Sequence, residues 1–282
     1  MRSQRSGYRH TALLVLHRRD RTRNPRTDSR RRAEQSLHLP ALRVRRVACK
    51  PVMRLDRFLA NLPHCSHRQA RLLLASGRAS VNGETVCNGT HDVRIFDRIE
   101  LDGELLQAGK PARFFMLNKP AGCVSATADP QYPTVLDLLN EPDKEELHIA
   151  GRLDFNTTGL MIITNDGLWS RRLTQPESLL GKTYLVETED PIAPLCVERF
   201  AEGLYFRFEN LTTLPAELEL LASHQARLTL HEGRYHQVKR MFGHFNNKVT
   251  ALHRERMGPL TLDPSLAPGD YRSLTASEIA QV

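Results

Sequence analysis

Gly151-Arg152-Leu153-Asp154-Phe155-Asn156-Thr157-Thr158-Gly159-Leu160 sets a single carboxylate between two glycines, just ahead of the apolar run Leu160-Met161-Ile162-Ile163. Most aspartates in such a context are turn residues whose carboxylates accept from nearby backbone N–H groups. The other reading is a catalytic loop that presents Asp154 at the lip of a strand. Company favours the second, because Lys182-Thr183-Tyr184-Leu185-Val186 and His231-Glu232-Gly233-Arg234-Tyr235-His236-Gln237-Val238-Lys239-Arg240-Met241 follow in order downstream.

Around these segments the pattern is α+β. Short β-type runs (114–117, 160–164, 183–188 and 226–230) alternate with helical stretches over 168–174 and 194–202, without the regular strand-helix-strand repeat of a doubly wound sheet. Two decoys drop out. Gly181-Lys182-Thr183 ends like a nucleotide-binding loop, but the position that needs a glycine is Pro176. His231 and His236 miss the i, i+4 spacing of a helical zinc pair. No cofactor and no metal are expected.

The chain has 282 residues, enough for two domains, and its apolar runs are far shorter than the ~20 residues of a transmembrane helix. Its net charge of +8 divides unevenly. Residues 1–52 hold 15 of the 40 Lys+Arg and 3 of the 32 Asp+Glu, a net +12, which leaves 25 against 29, a net −4, for the remainder. A basic pI therefore says little about nucleic-acid binding here, and local patches have to carry that case. Residues 1–52 show no sustained period and are expected to be disordered, with Met53 the expected native start, a transit peptide or an RNA-gripping tail being the other readings. Five scattered cysteines, with no Cys-x-x-Cys pair, suit reduced thiols in the cytoplasm.

After Met53, Leu55, Phe58, Leu59 and Leu62 make the stripe of an amphipathic helix broken by Pro63. Ser66 with Gln69 forms a capping box for a second helix that Gly77 ends. Asn82-Gly83 between short β runs signals a hairpin, and Gln107-Ala108-Gly109-Lys110-Pro111 reads as a linker. The expected division is thus 53–106 for a small domain, 107–112 for the linker and 113–282 for a larger one.

The three central segments, together with Arg113-Phe114-Phe115-Met116-Leu117-Asn118-Lys119-Pro120 and Leu266-Ala267-Pro268-Gly269-Asp270-Tyr271-Arg272-Ser273-Leu274, resemble the motifs of pseudouridine synthases. Within them the likeness is to the RsuA family, which pairs an S4 RNA-binding domain with the synthase domain, and it runs from Met53 to Val282. The resemblance implies a mixed, largely antiparallel sheet with a cleft across it. It also implies an isomerisation in which uridine's N1–C1′ bond breaks and the base rejoins the ribose through C5. Ribosomal RNA of the small subunit is the implied substrate, in a partly assembled particle, with the protein expected to act as a monomer. Tyr235-His236 is closer to the small-subunit pattern than to the Asn-Arg of large-subunit relatives. A large-subunit enzyme, or a non-catalytic assembly factor, are the alternatives.

By resemblance Asp154 is the catalytic carboxylate, acting as nucleophile on the nucleoside or as base on a ribose proton. Either role needs it charged, and burial disfavours charge, so a fixed cation must oppose it. Arg234 is the candidate, since a guanidinium at a helix start is poorly placed unless an anion compensates. Lys239 and Arg240 come second for that role and are expected on RNA phosphates instead. Tyr184 shares a strand face with Lys182, Val186 and Thr188, where a ring either fills core or stacks on an extracted uracil. Arg68, Arg71 and Arg78 are expected on phosphates, against the alternative of a solvated helix face, and Arg152, Thr157 and Thr158 are expected to position the loop or a phosphate.

Overall fold

The computed structural model describes residues 52–63, 65–207 and 209–282, so the expectations for the basic extension lie outside the described residues. After β1 (Met53–Arg54), helix α1 (Leu55–Ala60) and helix α2 (His67–Ala75) stand against a small sheet. Ser66 Oγ accepts from Gln69 N at 3.3 Å and Gln69 Oε1 accepts from Ser66 N at 2.8 Å, the reciprocal cap that the sequence spells. Strands β2 (Ala79–Val81) and β3 (Glu84–Thr85) form the hairpin, with Asn82 at φ 54° and Gly83 at φ 86° in the two positions that favour such residues. With β4 (Asp92–Val93) pairing β1, and β5 (Ile99–Leu101) and β6 (Glu104–Gln107) completing the sheet in the order β3-β2-β5-β6, the unit encloses Leu55, Leu59, Leu74, Val81 and Ile99.

The chain continues as β7 (Phe114–Lys119), β8 (His148–Ala150), β9 (Thr158–Thr164), α3 (Gly167–Thr174), β10 (Lys182–Thr188) and α4 (Leu195–Glu202). Next come β11 (Tyr205–Phe206), β12 (Leu211–Thr212), β13 (Glu217–Ala222), β14 (Gln225–Leu230), α5 (Gln237–Gly243), β15 (Val249–Met257), β16 (Leu260–Thr261), β17 (Tyr271–Ser273) and α6 (Ala276–Ala280). Nine of the described strands form one sheet along β13-β14-β10-β15-β9-β7-β17, with β16 on β15 and β8 on β9. Only β9 and β15 pair in parallel, so the sheet is mixed and largely antiparallel.

Period-two alternation buries both faces of its centre. Leu117, Met161, Ile163, Val186 and Leu228 face a core that holds Phe200 of α4 and Phe242 of α5, while Met116, Leu160, Ile162 and Met257 face Trp169 of α3. Burying each such side chain contributes roughly 1.5–3 kcal/mol.

One row across this sheet positions the site. Lys119 of β7 pairs Gly159 of β9, Gly159 pairs Arg254 of β15, and Arg254 pairs Tyr184 of β10. Directly paired residues share a face. Gly159, at φ 101°, leaves a gap in the row, and a Cβ there would lie 2.4 Å from the Arg254 carbonyl oxygen and 2.7 Å from its nitrogen. The close passage of β9 and β15 thus admits only glycine.

Candidate active site

The segment from Gly151 to Thr157 crosses the end of that row as a loop whose backbone is held at each turn. The Arg254 guanidinium, 1% exposed, donates from Nε to Leu160 O at 2.8 Å and from Nη2 to Gly151 O at 3.2 Å. Ser125 Oγ donates to Leu153 O at 2.6 Å and accepts from Leu153 N at 3.0 Å. Lys119, fully buried, donates from Nζ to Phe155 O at 3.2 Å and to the carbonyls of Thr157 and Pro120 at 2.9 Å. Thr157 N closes the turn on Asp154 O at 3.0 Å. Thr158 Oγ1 meets His253 Nδ1 of β15 at 2.8 Å. Burial pulls the Lys119 ammonium below the ordinary lysine range, with Cys123 and Asp154 opposing the shift.

Asp154 emerges from this braced loop with its side chain 32% exposed, into a cleft of about 660 Å³ that Tyr184, Lys182, Arg254, Arg234, His236 and Lys239 also line. Its carboxylate faces an imidazole and an ammonium from one short segment. His236 Nε2 lies 3.4 Å from Oδ1 and Lys239 Nζ lies 3.4 Å from Oδ2. Residues 236 and 239 are three apart, which places both on one side as α5 begins. His236 is left-handed at φ 49°, and the Tyr235 ring, 77% exposed, stacks on its imidazole at 3.8 Å.

Arg234 does not take the role given to it from the sequence. Its Nε donates to Glu232 Oε2 at 2.8 Å, and Glu232 Oε1 accepts from Gln237 Nε2 at 2.7 Å and from Leu214 N at 3.0 Å. A helix-start arginine does need an anion, but the anion is Glu232, two residues away, and the cation beside Asp154 is Lys239. Arg240 is likewise engaged: it pairs with Glu209 and lies 3.9 Å over the Phe206 ring. Arg78 binds Asp102, with Nε to Oδ1 at 2.7 Å. Arg68, Arg71 and Arg152 are exposed, and their guanidinium groups make no ion pair among the described residues. Tyr184, 9% exposed, keeps its ring on the cleft face of β10.

Lys119, Ser125 and Arg254 were not singled out from the sequence. A buried lysine next to Pro120 and an arginine inside a strand carry no pattern that separates them from surface charge.

Comparison with known proteins now decides the class. A family model described as RNA pseudouridylate synthase matches residues 113–244. A Pseudomonas aeruginosa protein, ribosomal small subunit pseudouridine synthase A, is 65% identical over 230 residues, spanning 82% of this chain and 100% of that protein. The chain belongs to the RNA pseudouridine synthase family. The protein of the same name from Escherichia coli (strain K12) is 48% identical over 230 residues, with 82% and 100% of the two chains covered. A crystal structure of a pseudouridylate synthase superposes with a TM-score of 0.60 at 43% identity, covering 81% of this chain and 99% of that one. The protein is thus an isomerase that acts on RNA and converts uridine to pseudouridine, and no helix among its described residues is long and apolar enough to cross a membrane.

Proposed function

We propose that the protein isomerises one uridine of small-subunit ribosomal RNA, with Asp154 as the reacting carboxylate. The observation that carries this is the pairing of Asp154 with Lys239 and His236 at 3.4 Å, at the mouth of a cleft floored by Tyr184. The Lys239 ammonium at 3.4 Å lends electrostatic support to the negative charge that either route needs on Asp154. Asp154 then acts on C1′ as a nucleophile or removes a ribose proton.

The uridine must leave its stack to enter, at a cost of a few kcal/mol. Stacking on an aromatic ring, worth ~1–3 kcal/mol, offsets much of it, and Tyr184 offers that ring. Arg152 at the rim, and Arg68 and Arg71 on α2, offer unpaired guanidinium groups to phosphates. Arg78 and Arg240 already pair with Asp102 and Glu209, which makes them weaker candidates for phosphate contacts. In this reading residues 53–106 are an S4-like RNA-binding domain, 107–112 the linker and 113–282 the synthase domain. The protein works as a monomer in the cytoplasm, on a small-subunit assembly intermediate.

Asp154→Asn tests the reading, because it keeps the shape and removes the charge. Pseudouridine mapping in small-subunit RNA, in cells carrying the parent or the variant, should show one site lost, while RNA affinity in vitro changes by less than a few-fold. Turnover by Asp154→Asn within tenfold of the parent would refute the assignment, and loss of a large-subunit site instead would move the substrate.

A further inference from the structure

The cleft floor holds a cation that nothing above uses. Lys182 stands on the same face of β10 as Tyr184, two positions along, and lines the cleft with it. It is half-buried, yet among the described residues no carboxylate pairs with its ammonium and no hydrogen bond occupies it. Two charges bear on it, Arg254 repelling and Glu232 attracting. Glu232 is already committed to Arg234, Gln237 and Leu214. Arg254, buried in turn, bonds only carbonyl oxygens. A half-buried ammonium and a buried guanidinium lining one cleft, without an ion-paired carboxylate among the described residues, are costly unless an anion joins them.

Asp154 is not that anion, since Lys239 and His236 attend it. A backbone phosphate is a poor fit as well: the phosphates of an extracted nucleotide stay near the rim, and Lys182 lies on the floor beside the ring against which the base would stack. What reaches the floor is the uracil, and it is neutral only until the reaction begins. When the N1–C1′ bond breaks, its electron pair leaves with the base, and the negative charge spreads over N1, O2 and O4. The sugar is balanced either by bonding C1′ to Asp154 or by losing its C2′ proton to form a C1′–C2′ double bond. The pair returns when C5 bonds C1′, as the C1′–Asp154 bond breaks in the first route or as the proton held by Asp154 goes back to C2′ in the second. Once C5 has lost its proton and N1 has gained one, no atom has entered or left.

We infer that Lys182 is a catalytic residue whose ammonium donates to a carbonyl oxygen of the departing uracil and stabilises its anion, with buried Arg254 adding to the positive field beneath. The inference rests on the reading of Asp154 above. A donor aimed at developing charge in a closed site is typically worth about 10²–10³-fold in rate.

Lys182→Met and Lys182→Gln test it in the full-length protein on a transcript of small-subunit RNA, by single-turnover rate, RNA Kd and the salt dependence of Kd. Both variants should lose about 10²–10³-fold in single-turnover rate with Kd within threefold and an unchanged salt slope. Lys182→Met should melt no lower than the parent, since it removes an unpaired charge. A single-turnover rate within threefold of the parent in either folded variant overturns the inference. So does a weakened Kd whose salt slope has fallen by about one at full single-turnover rate, which would put Lys182 on a phosphate. Asp154→Asn run in parallel separates the failures: active Asp154→Asn sinks the reading of the whole site, whereas inactive Asp154→Asn beside active Lys182 variants sinks only the role of Lys182.

Discussion

At the scale of single residues, the electrostatics of the cleft turn on which cation serves which carboxylate. Lys239 faces Asp154 and Arg234 faces Glu232, so truncating the two should separate cleanly. Lys239→Met leaves Asp154 with His236 alone in a partly desolvated site. Its single-turnover rate should fall ten- to hundredfold, equivalent to ~1.4–2.8 kcal/mol of transition-state stabilisation. Arg234→Gln should cost no more than a few-fold, because Gln237 and Leu214 still hold Glu232. Equal losses in both variants would contradict this division of labour. The loop around Asp154 was legible in the sequence, since a carboxylate between Gly151 and Gly159 ahead of an apolar strand signals a turn at a strand's lip. The cation beside it was named only as a second choice, Lys239 behind Arg234. Helix-dipole reasoning shows that Arg234 wants an anion, but only three-dimensional placement shows that Glu232 supplies it. Lys119 and Arg254 were hidden for a related reason: their charges are met by carbonyl oxygens of the 151–157 loop, and main-chain partners leave no trace in side-chain patterns.

At the scale of elements, sequence reading worked where burial is simple. The runs that became β7, β9, β10 and β14 and the stretches that became α3 and α4 carry apolar residues at the period of their structure, and the capping box of α2 is formed as spelled. Strand β15 escaped, although it lies between β10 and β9 at the centre of the sheet. Its sequence, Val249-Thr250-Ala251-Leu252-His253-Arg254-Glu255-Arg256-Met257, reads as exposed because its polar side chains find internal partners. His253 meets Thr158, and on β8, which pairs with β9, His148 Nε2 meets Ser170 Oγ of α3 at 2.8 Å. Burial holds both imidazoles below the ordinary value of 6.5, with the Glu255 and Asp166 carboxylates opposing only part of the shift. A base with a depressed pKa in the folded state takes up protons more readily in the unfolded chain. Its stabilising effect is therefore intact above the ordinary imidazole range and is lost as pH falls through that value toward the folded one. Urea melts of the parent at about pH 7.5 and about pH 5.5 should show lower stability at the acid end. The drop should shrink in His148→Gln and in His253→Asn, and a drop of the same size in both variants would show that other groups cause it.

At the scale of the whole described chain, polar contacts join residues 53–106 to residues 113–282. Arg94, between β4 and β5, reaches Asp166 with Nη2 to Oδ2 at 2.5 Å, and Lys110 pairs with Glu146. The linker between them is pinned along its length, with Lys110 N donating to Ile95 O at 2.8 Å and Asn165 Nδ2 to Pro111 O at 2.9 Å. Asp166 has a second duty, since its Oδ1 accepts from Leu168 N at 3.0 Å and from Trp169 N at 3.1 Å to cap α3. One carboxylate thus joins the start of α3 to the small unit. The cap survives without Arg94, but Asp166 is buried and loses its cation, so Arg94→Ala should cost about 1–3 kcal/mol of stability while α3 stays capped. Its effect on function should fall on binding, because α2 and the cleft then no longer hold a fixed spacing on one RNA. Kd for a long small-subunit transcript should rise several-fold while the single-turnover rate at saturating protein stays within twofold. Asp166→Asn should likewise weaken binding and lower the melting temperature. If Arg94→Ala leaves the Kd for long RNA unchanged, the Arg94–Asp166 contact does not set the spacing of the two units on RNA.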